Sequence, residues 1–167
     1  LAGEFASLID IDPWSIQVDT QEISPVNFNE NQGIDQVAEV VDQTLAKIKL
    51  NYKNRNIDRS PFVFIKNNAG TYGMGIMVVH SADELQHLNR RIKNKMSTGK
   101  NHIPIHSVIV QEGIPTITKV NHLTAEPVIY LCGSELIGGF LRSNTEKGEE
   151  DNLNSQGMVF QKLCMSD

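Results

Sequence analysis

The chain has 167 residues, of which 40% are hydrophobic, and its formal net charge is −5. This length suffices for one domain with a sizeable core, and no apolar run approaches the roughly 20 residues that a membrane-spanning helix needs. Cys132 and Cys164 have the spacing of neither a metal site nor a disulfide framework, which indicates reduced thiols in a cytoplasmic protein.

Charged residues are unevenly distributed along the chain. Residues 1–46 contain nine acidic residues and no lysine or arginine, whereas residues 47–100 contain eleven basic and three acidic residues. A basic segment in an acidic protein favours a small polyanionic ligand. Nucleic acid is a weaker candidate ligand because the segment has no recognisable nucleic-acid-binding motif. A solvated helix face would also account for part of the positive charge.

The amino-terminal third of the chain contains one well-defined element. The first residues lack both the features of a signal peptide and an initiator methionine, which suggests a processed product or a fragment. Up to residue 33 the sequence is irregular, and residues 14–18 could form a strand. Residues 34–53 then form a helix, because Ile34, Val37, Val41 and later apolar residues recur at intervals of three and four.

The chain is organised around residues 61–79, PFVFIKNNAGTYGMGIMVV. Two short β-prone runs flank a loop with glycines at positions 70, 73 and 75, and the first run ends on Lys66, which predicts strand, glycine loop, strand. Backbone N–H groups of such a loop can bind phosphate oxygens while Lys66 supplies a positive charge. The spacing matches neither the dinucleotide fingerprint nor the P-loop, so a flexible hairpin without a ligand is the alternative.

The rest of the chain is predicted to contain one helix and a series of strands. Ser81 and Glu84 form a capping-box pattern, which predicts a helix over residues 82–96. The β-prone runs that follow are residues 108–111, 116–120, 128–131 and 136–141, and a polar loop begins at residue 144. Strands that follow one another without intervening helices indicate an α+β fold.

Several polar residues near strand ends are candidates for ligand binding. Glu112 could accept a hydrogen bond from a ligand amine, or it could be a solvent-exposed acid in a turn. Glu126 offers the oxygen ligands that Mg²⁺ prefers, and the guanidinium of Arg142 suits either a phosphoryl oxygen or a surface ion pair. Asn152 and Asn154 could bind a metal or phosphate, or only form turns. The histidines have no metal-ligand spacing.

Six stretches together resemble one family. They are PFVFIKNNAGTYGMGIMVV, LNRRIKNKM, VIVQEG, AEPVIYLCG, GGFLR and DNLNSQG, in this order. They resemble the glutamate–cysteine ligase of the proteobacterial type that has an ATP-grasp fold. The resemblance implies antiparallel sheets with flanking helices, in a fragment of a larger two-lobed enzyme. Residues 1–60 would lead in from a preceding lobe, and residues 61–167 would form the nucleotide-binding region, incomplete at its carboxyl end.

The resemblance also implies a reaction and a set of residues. ATP would phosphorylate the γ-carboxylate of glutamate, and the amine of cysteine would displace phosphate to give γ-glutamylcysteine, the first step of glutathione synthesis. Lys66 and Arg142 would be catalytic, and Mg²⁺ would be bound near Glu126, Asn152 and Asn154. The implied ATP-binding residues are Lys66, Gly70, Thr71, Tyr72, Gly73, Gly75, Gln111 and Glu112.

Two alternatives to this function stay open. The chain carries Asn67 and Asn68 where the family more often has an acidic residue, and no motif reads the substrate side chain directly. Another ATP-grasp ligase with a different acid and amine, or a non-catalytic nucleotide-binding module, would carry similar motifs. In each case the expected partners are small molecules rather than nucleic acid or membrane, and a homo-oligomer is possible.

Overall fold

The computed structural model describes residues 1–68, 74–99 and 104–163. In these ranges the helices are α1 Ala2–Leu8, a 3₁₀ turn at Pro13–Ser15, α2 Ile34–Asn54, α3 Asp83–Gln86 and α4 Arg90–Ser97. The strands are β1 Thr20–Ile23, β2 Val63–Asn67, β3 Ile76–Val79, β4 Val108–Glu112, β5 Lys119–Val120, β6 Leu123–Cys132, β7 Glu135–Asn144 and β8 Met158–Lys162. No helix within the described residues is long and apolar enough to cross a membrane.

The first sheet has the strand order β1-β4-β2-β3, and all of its neighbours are antiparallel. Burial alternates strictly along β2 and β4, because successive side chains of a strand point to opposite faces. One face is covered by α2 and carries the core. The other face, here called the open face, is partly exposed and carries Phe64 and Lys66 from β2, Ile76 from β3 and Gln111 from β4.

The core forms between α2 and the covered face of the first sheet. Val37, Val41 and Ile48 of α2 and Val63 and Ile65 of β2 are almost completely buried. The predictions of a helix over residues 34–53 and of two strands around the glycine loop are therefore confirmed. Periodic apolar residues specify the helix and the strands, since burial of their apolar faces contributes most of the free energy that stabilises them.

The second sheet has the order β5-β6-β7-β8 and is also antiparallel. Its main feature is the long β6–β7 hairpin, in which Glu126 lies opposite Arg142. Large apolar side chains near the tip of this hairpin, Ile129, Tyr130, Leu131, Leu136 and Ile137, are exposed. The sheets are confirmed as antiparallel in a mixed α and β chain, as predicted.

Two predictions about individual elements were wrong, and three elements were missed. Residues 82–96 do not form one helix: α3 ends at Gln86, and Asn89 starts α4 by accepting a hydrogen bond from the backbone N–H of Ile92 at 2.9 Å. Residues 14–18 are not a strand, because the Asp12 side chain caps a 3₁₀ turn there. The sequence interpretation also missed α1, β1 and β8, which are short or have little regular alternation.

Candidate functional site

Lys66 is a half-buried lysine near the end of β2 on the open face of the first sheet. Its ammonium contacts Oε1 of Gln111 on the neighbouring strand and lies 5.0 Å from the centre of the Phe64 ring. Within the described residues no carboxylate forms an ion pair with it. Burial lowers the pKa of Lys66 from its ordinary value. The site therefore contains a partly desolvated cation that has no anionic partner among the described residues.

The described end of the glycine loop lies directly beside this lysine. Gly75 has a positive φ of 64°, and its carbonyl accepts a hydrogen bond from the backbone N–H of Asn67 at 2.9 Å. A Cβ added at Gly75 would meet the Cβ of Asn67 at 3.0 Å, so both backbone conformation and space favour glycine. The other predicted loop residues, Gly70, Thr71, Tyr72 and Gly73, lie outside the described residues.

Gln111 and Glu112 occupy opposite faces of the first sheet. Gln111 pairs with Phe64 and shares the open face with Lys66, whereas Glu112 pairs with Val63 and points to the covered face. Glu112 is only 5% exposed, so its interpretation as a solvent-exposed turn acid is wrong. Its carboxylate accepts hydrogen bonds from Nε1 of Trp14 at 3.0 Å and from the backbone N–H of Asp19 at 3.4 Å. The structure thus brings Lys66 together with Gln111 and not with the Glu112 carboxylate.

Glu126 and Arg142 face each other across the β6–β7 hairpin. Nε of Arg142 donates a hydrogen bond to Oε1 of Glu126 at 2.8 Å, and both side chains are partly exposed. A guanidinium has five N–H donors, so Arg142 keeps donors for a second anion. The Glu126 carboxylate, in contrast, is already engaged by a cation.

The residues predicted for magnesium do not form a complete coordination set by themselves. Asn152 and Asn154 hydrogen-bond each other locally, with the backbone N–H of Asn154 donating to Oδ1 of Asn152 at 3.1 Å. Glu126, the single carboxylate of the predicted set, is paired with Arg142. In the described part of the chain, no three His, Cys, Asp or Glu residues come together as metal ligands. Magnesium that accompanies a nucleotide usually keeps several waters and binds one or two carboxylates and the phosphates, so it does not require a full set of protein ligands.

A cleft of about 280 Å³ lies along β3, the edge strand of the first sheet. Its walls come from β3, from α4 and from the loop between β7 and β8. The lining residues are Ile76, Met77, Val78, Ile92, Lys95, Met96, Lys147, Asp151, Asn152 and Ser155. Of the predicted site residues that the structure describes, only Asn152 lines this cleft. The basic end of α4 belongs to one of the six stretches that carry the family resemblance, and no local sequence signal connects it to Lys147 or Asp151.

Comparison with known proteins decides the family. A family model described as glutamate-cysteine ligase, GshA, matches residues 1–167. The chain belongs to the glutamate-cysteine ligase family. The family predicted from the six sequence stretches is thereby confirmed, and a glutamate-cysteine ligase belongs among ligases of glutathione biosynthesis.

One solved structure resembles this member of the glutamate-cysteine ligase family closely. It is a crystal structure, at 1.90 Å resolution, of a protein from Methylobacillus flagellatus KT that is provisionally named gamma-glutamylcysteine synthetase. The TM-score is 0.85 and the sequence identity is 41% over 97% of this chain. The chain spans 39% of the length of that protein. A search among curated proteins found no match.

Proposed function

We propose that this chain forms the nucleotide-binding part of an ATP-dependent glutamate–cysteine ligase with an ATP-grasp fold. The γ-carboxylate oxygen of glutamate attacks the γ-phosphorus of ATP, which gives γ-glutamyl phosphate and ADP. The cysteine amine then attacks the acyl carbon, the bond to the phosphate oxygen breaks, and phosphate leaves as the amine loses a proton. Membership of the glutamate-cysteine ligase family supports this reaction.

The observation that carries the proposal is the environment of Lys66. A cation in a partly desolvated position attracts an anion more strongly than one in water, because the effective dielectric constant is lower. Gln111 uses one donor of the ammonium, and two remain. A triphosphate placed on the open face would supply the missing negative charge. The glycine loop leads from Lys66 to Gly75, and we propose that it covers the phosphates.

The other predicted residues take different proposed roles. Arg142 would steady the phosphoryl group through the N–H donors that Glu126 does not use. Glu112 would act by holding the end of β4 through Trp14 and Asp19, which positions Gln111. Magnesium is expected with ATP, and water and the phosphates would supply most of its ligands, since the predicted residues do not form a complete set.

A steady-state assay on the full-length protein tests this function. Phosphate release from ATP should require L-glutamate and L-cysteine together, and γ-glutamylcysteine should form in equal amount. Turnover with a different acid and amine at higher kcat/KM would support another ligase instead. Binding of ATP without turnover of any carboxylate and amine pair would support a non-catalytic module and overturn the proposal.

A further inference from the structure

The cleft between β3, α4 and the β7–β8 loop contains charges of both signs that do not neutralise each other. Lys95 and Lys147 line it together with Asp151. Within the described residues, no ion pair includes any of these three side chains, so Lys147 and Asp151 face the same space more than 4 Å apart. A ligand that carries one positive and one negative group would complement this arrangement of charges.

Each of the three charged groups keeps capacity for a ligand. Nζ of Lys95 donates to the backbone carbonyl of Ile76 at 3.0 Å, which leaves two of its three donors. Lys147 has no hydrogen-bond partner in the described part of the chain and is half-buried. Oδ2 of Asp151 accepts from the backbone N–H of Gly148 at 2.9 Å, and Oδ1 remains.

We propose that this cleft binds the zwitterionic head of an α-amino-acid substrate, with the carboxylate on Lys95 and Lys147 and the ammonium on Asp151. This assignment rests on the proposed function, which supplies glutamate and cysteine as candidate ligands. The apolar residues Met77, Val78 and Ile92 of the same cleft would contact the aliphatic part of the side chain.

The charge of the cleft argues against a nucleotide as the occupant. A triphosphate would place several negative charges beside the Asp151 carboxylate, where like charges repel. A zwitterion satisfies both lysines and the aspartate at once.

The position of the cleft suits a reaction between ATP bound at Lys66 and an amino acid bound in the cleft. Ile76 lines the cleft and is the cross-strand partner of Lys66, so its side chain lies on the open face beside that lysine. Directly paired residues have Cβ atoms about 4.5–5.5 Å apart. An amino acid in the cleft would therefore lie next to phosphates bound at Lys66.

Calorimetry on the full-length protein tests the assignment. Lys147→Gln keeps much of the side-chain length but removes the charge, and Lys49→Gln on the exposed surface of α2 is the matched control. L-Glutamate and L-cysteine are titrated separately, each with a non-hydrolysable ATP analogue present. We expect Lys147→Gln to raise the Kd of one of them about tenfold or more, about 1.4 kcal/mol, and to leave the Kd of the nucleotide unchanged.

Asp151→Asn tests the other half of the zwitterion. Asparagine retains an oxygen that can accept from Gly148, so the turn should persist. The variant should weaken binding of the amino acid that responds to Lys147→Gln, but not of its analogue without the amino group, glutarate or 3-mercaptopropionate.

The outcomes separate this proposal from the proposed function. If Lys147→Gln weakens the nucleotide rather than either amino acid, the cleft binds phosphate and the amino-acid assignment is wrong, while the ligase function stands. If neither variant changes amino-acid affinity more than Lys49→Gln does, the assignment is also wrong. If the wild-type protein binds nucleotide and forms no γ-glutamylcysteine, the proposed function itself fails.

Discussion

Replacing Lys66 by methionine should separate ligand binding from folding. Methionine retains the unbranched stem that packs on the sheet and removes only the ammonium. We expect the affinity for ATP to fall strongly while the free energy of unfolding of the ligand-free protein stays the same or increases. Loss of function without loss of stability is typical of a residue whose charge serves a ligand.

The expected magnitudes follow from the surroundings of Lys66. A hydrogen bond between a charged group and its partner contributes roughly 1.5–3 kcal/mol, which corresponds to a Kd about 10- to 150-fold higher. For stability, the lysine has no ion-pair partner within the described residues that would be left unpaired. Its one close partner, Gln111, also donates to Oγ1 of Thr20 at 3.1 Å and is partly exposed, so water can replace the ammonium.

The pH dependence of stability gives an independent check on Lys66. Burial lowers its pKa in the folded protein below the ordinary value of 10.5. The folded state therefore holds the proton less tightly than the unfolded state, and the cost of the buried charge is fully present below the folded pKa. As the pH rises through the folded pKa towards 10.5, this cost disappears. The stability of the wild type should then approach that of Lys66→Met.

The assays are calorimetry with Mg²⁺–ATP and urea denaturation at neutral and alkaline pH. Lys49→Met, on the exposed surface of α2, is the matched control and should change neither quantity. An ATP affinity of Lys66→Met equal to that of the wild type would refute the role of Lys66. A large loss of stability would show instead that the ammonium serves the fold.

Two further predictions concern packing and the cross-strand ion pair. Gly113→Ala should destabilise the protein by about 1–3 kcal/mol in urea denaturation, because the new Cβ would lie 2.3 Å from the buried ring of Phe62. Gly138→Ala is the control, because a Cβ there would have nothing within 4 Å. Equal losses of stability in the two variants would contradict the clash with Phe62. The double variant Glu126→Arg, Arg142→Glu exchanges the two charges of the cross-strand pair. Its free energy of unfolding should stay within about 1 kcal/mol of the wild type, whereas its ligase activity should be lost. Wild-type stability together with wild-type activity would show that Arg142 is purely structural.

The secondary structure could be predicted where one apolar pattern continued for long enough. The stripe of α2 and the alternation in β2 and β4 each correspond to a buried face, so local sequence and tertiary packing agree there. The break between α3 and α4 depends on one capping hydrogen bond of Asn89, which the surrounding apolar periodicity obscures. The strand β8 is largely exposed and, within the described residues, pairs only with β7, so it lacks the alternation of a half-buried strand.

The candidate site was predictable only in part, because strand pairing is a long-range property. The sequence places Gln111 and Glu112 next to each other, and neither residue type indicates which one faces Lys66. The antiparallel register of β2 and β4 decides this, and a shift of one residue would exchange the two faces. Lys95 and Lys147 are distant in sequence and meet only because the β7–β8 loop returns to the first sheet.

The β7–β8 loop is fixed against the rest of the protein, which makes the cleft pre-organised. The Glu149 carboxylate binds Lys119 at 3.0 Å and Arg59 at 3.1 Å, and hydrogen bonds from these two cations lower its pKa. The backbone carbonyl of Glu149 also accepts from the N–H of Thr116 at 2.8 Å. Lys147 lies two residues away and is therefore placed by contacts to other segments. Because ordering a loop costs binding energy, contacts that already hold the backbone at Glu149 reduce the entropy lost on ligand binding to that of the Lys147 side chain itself.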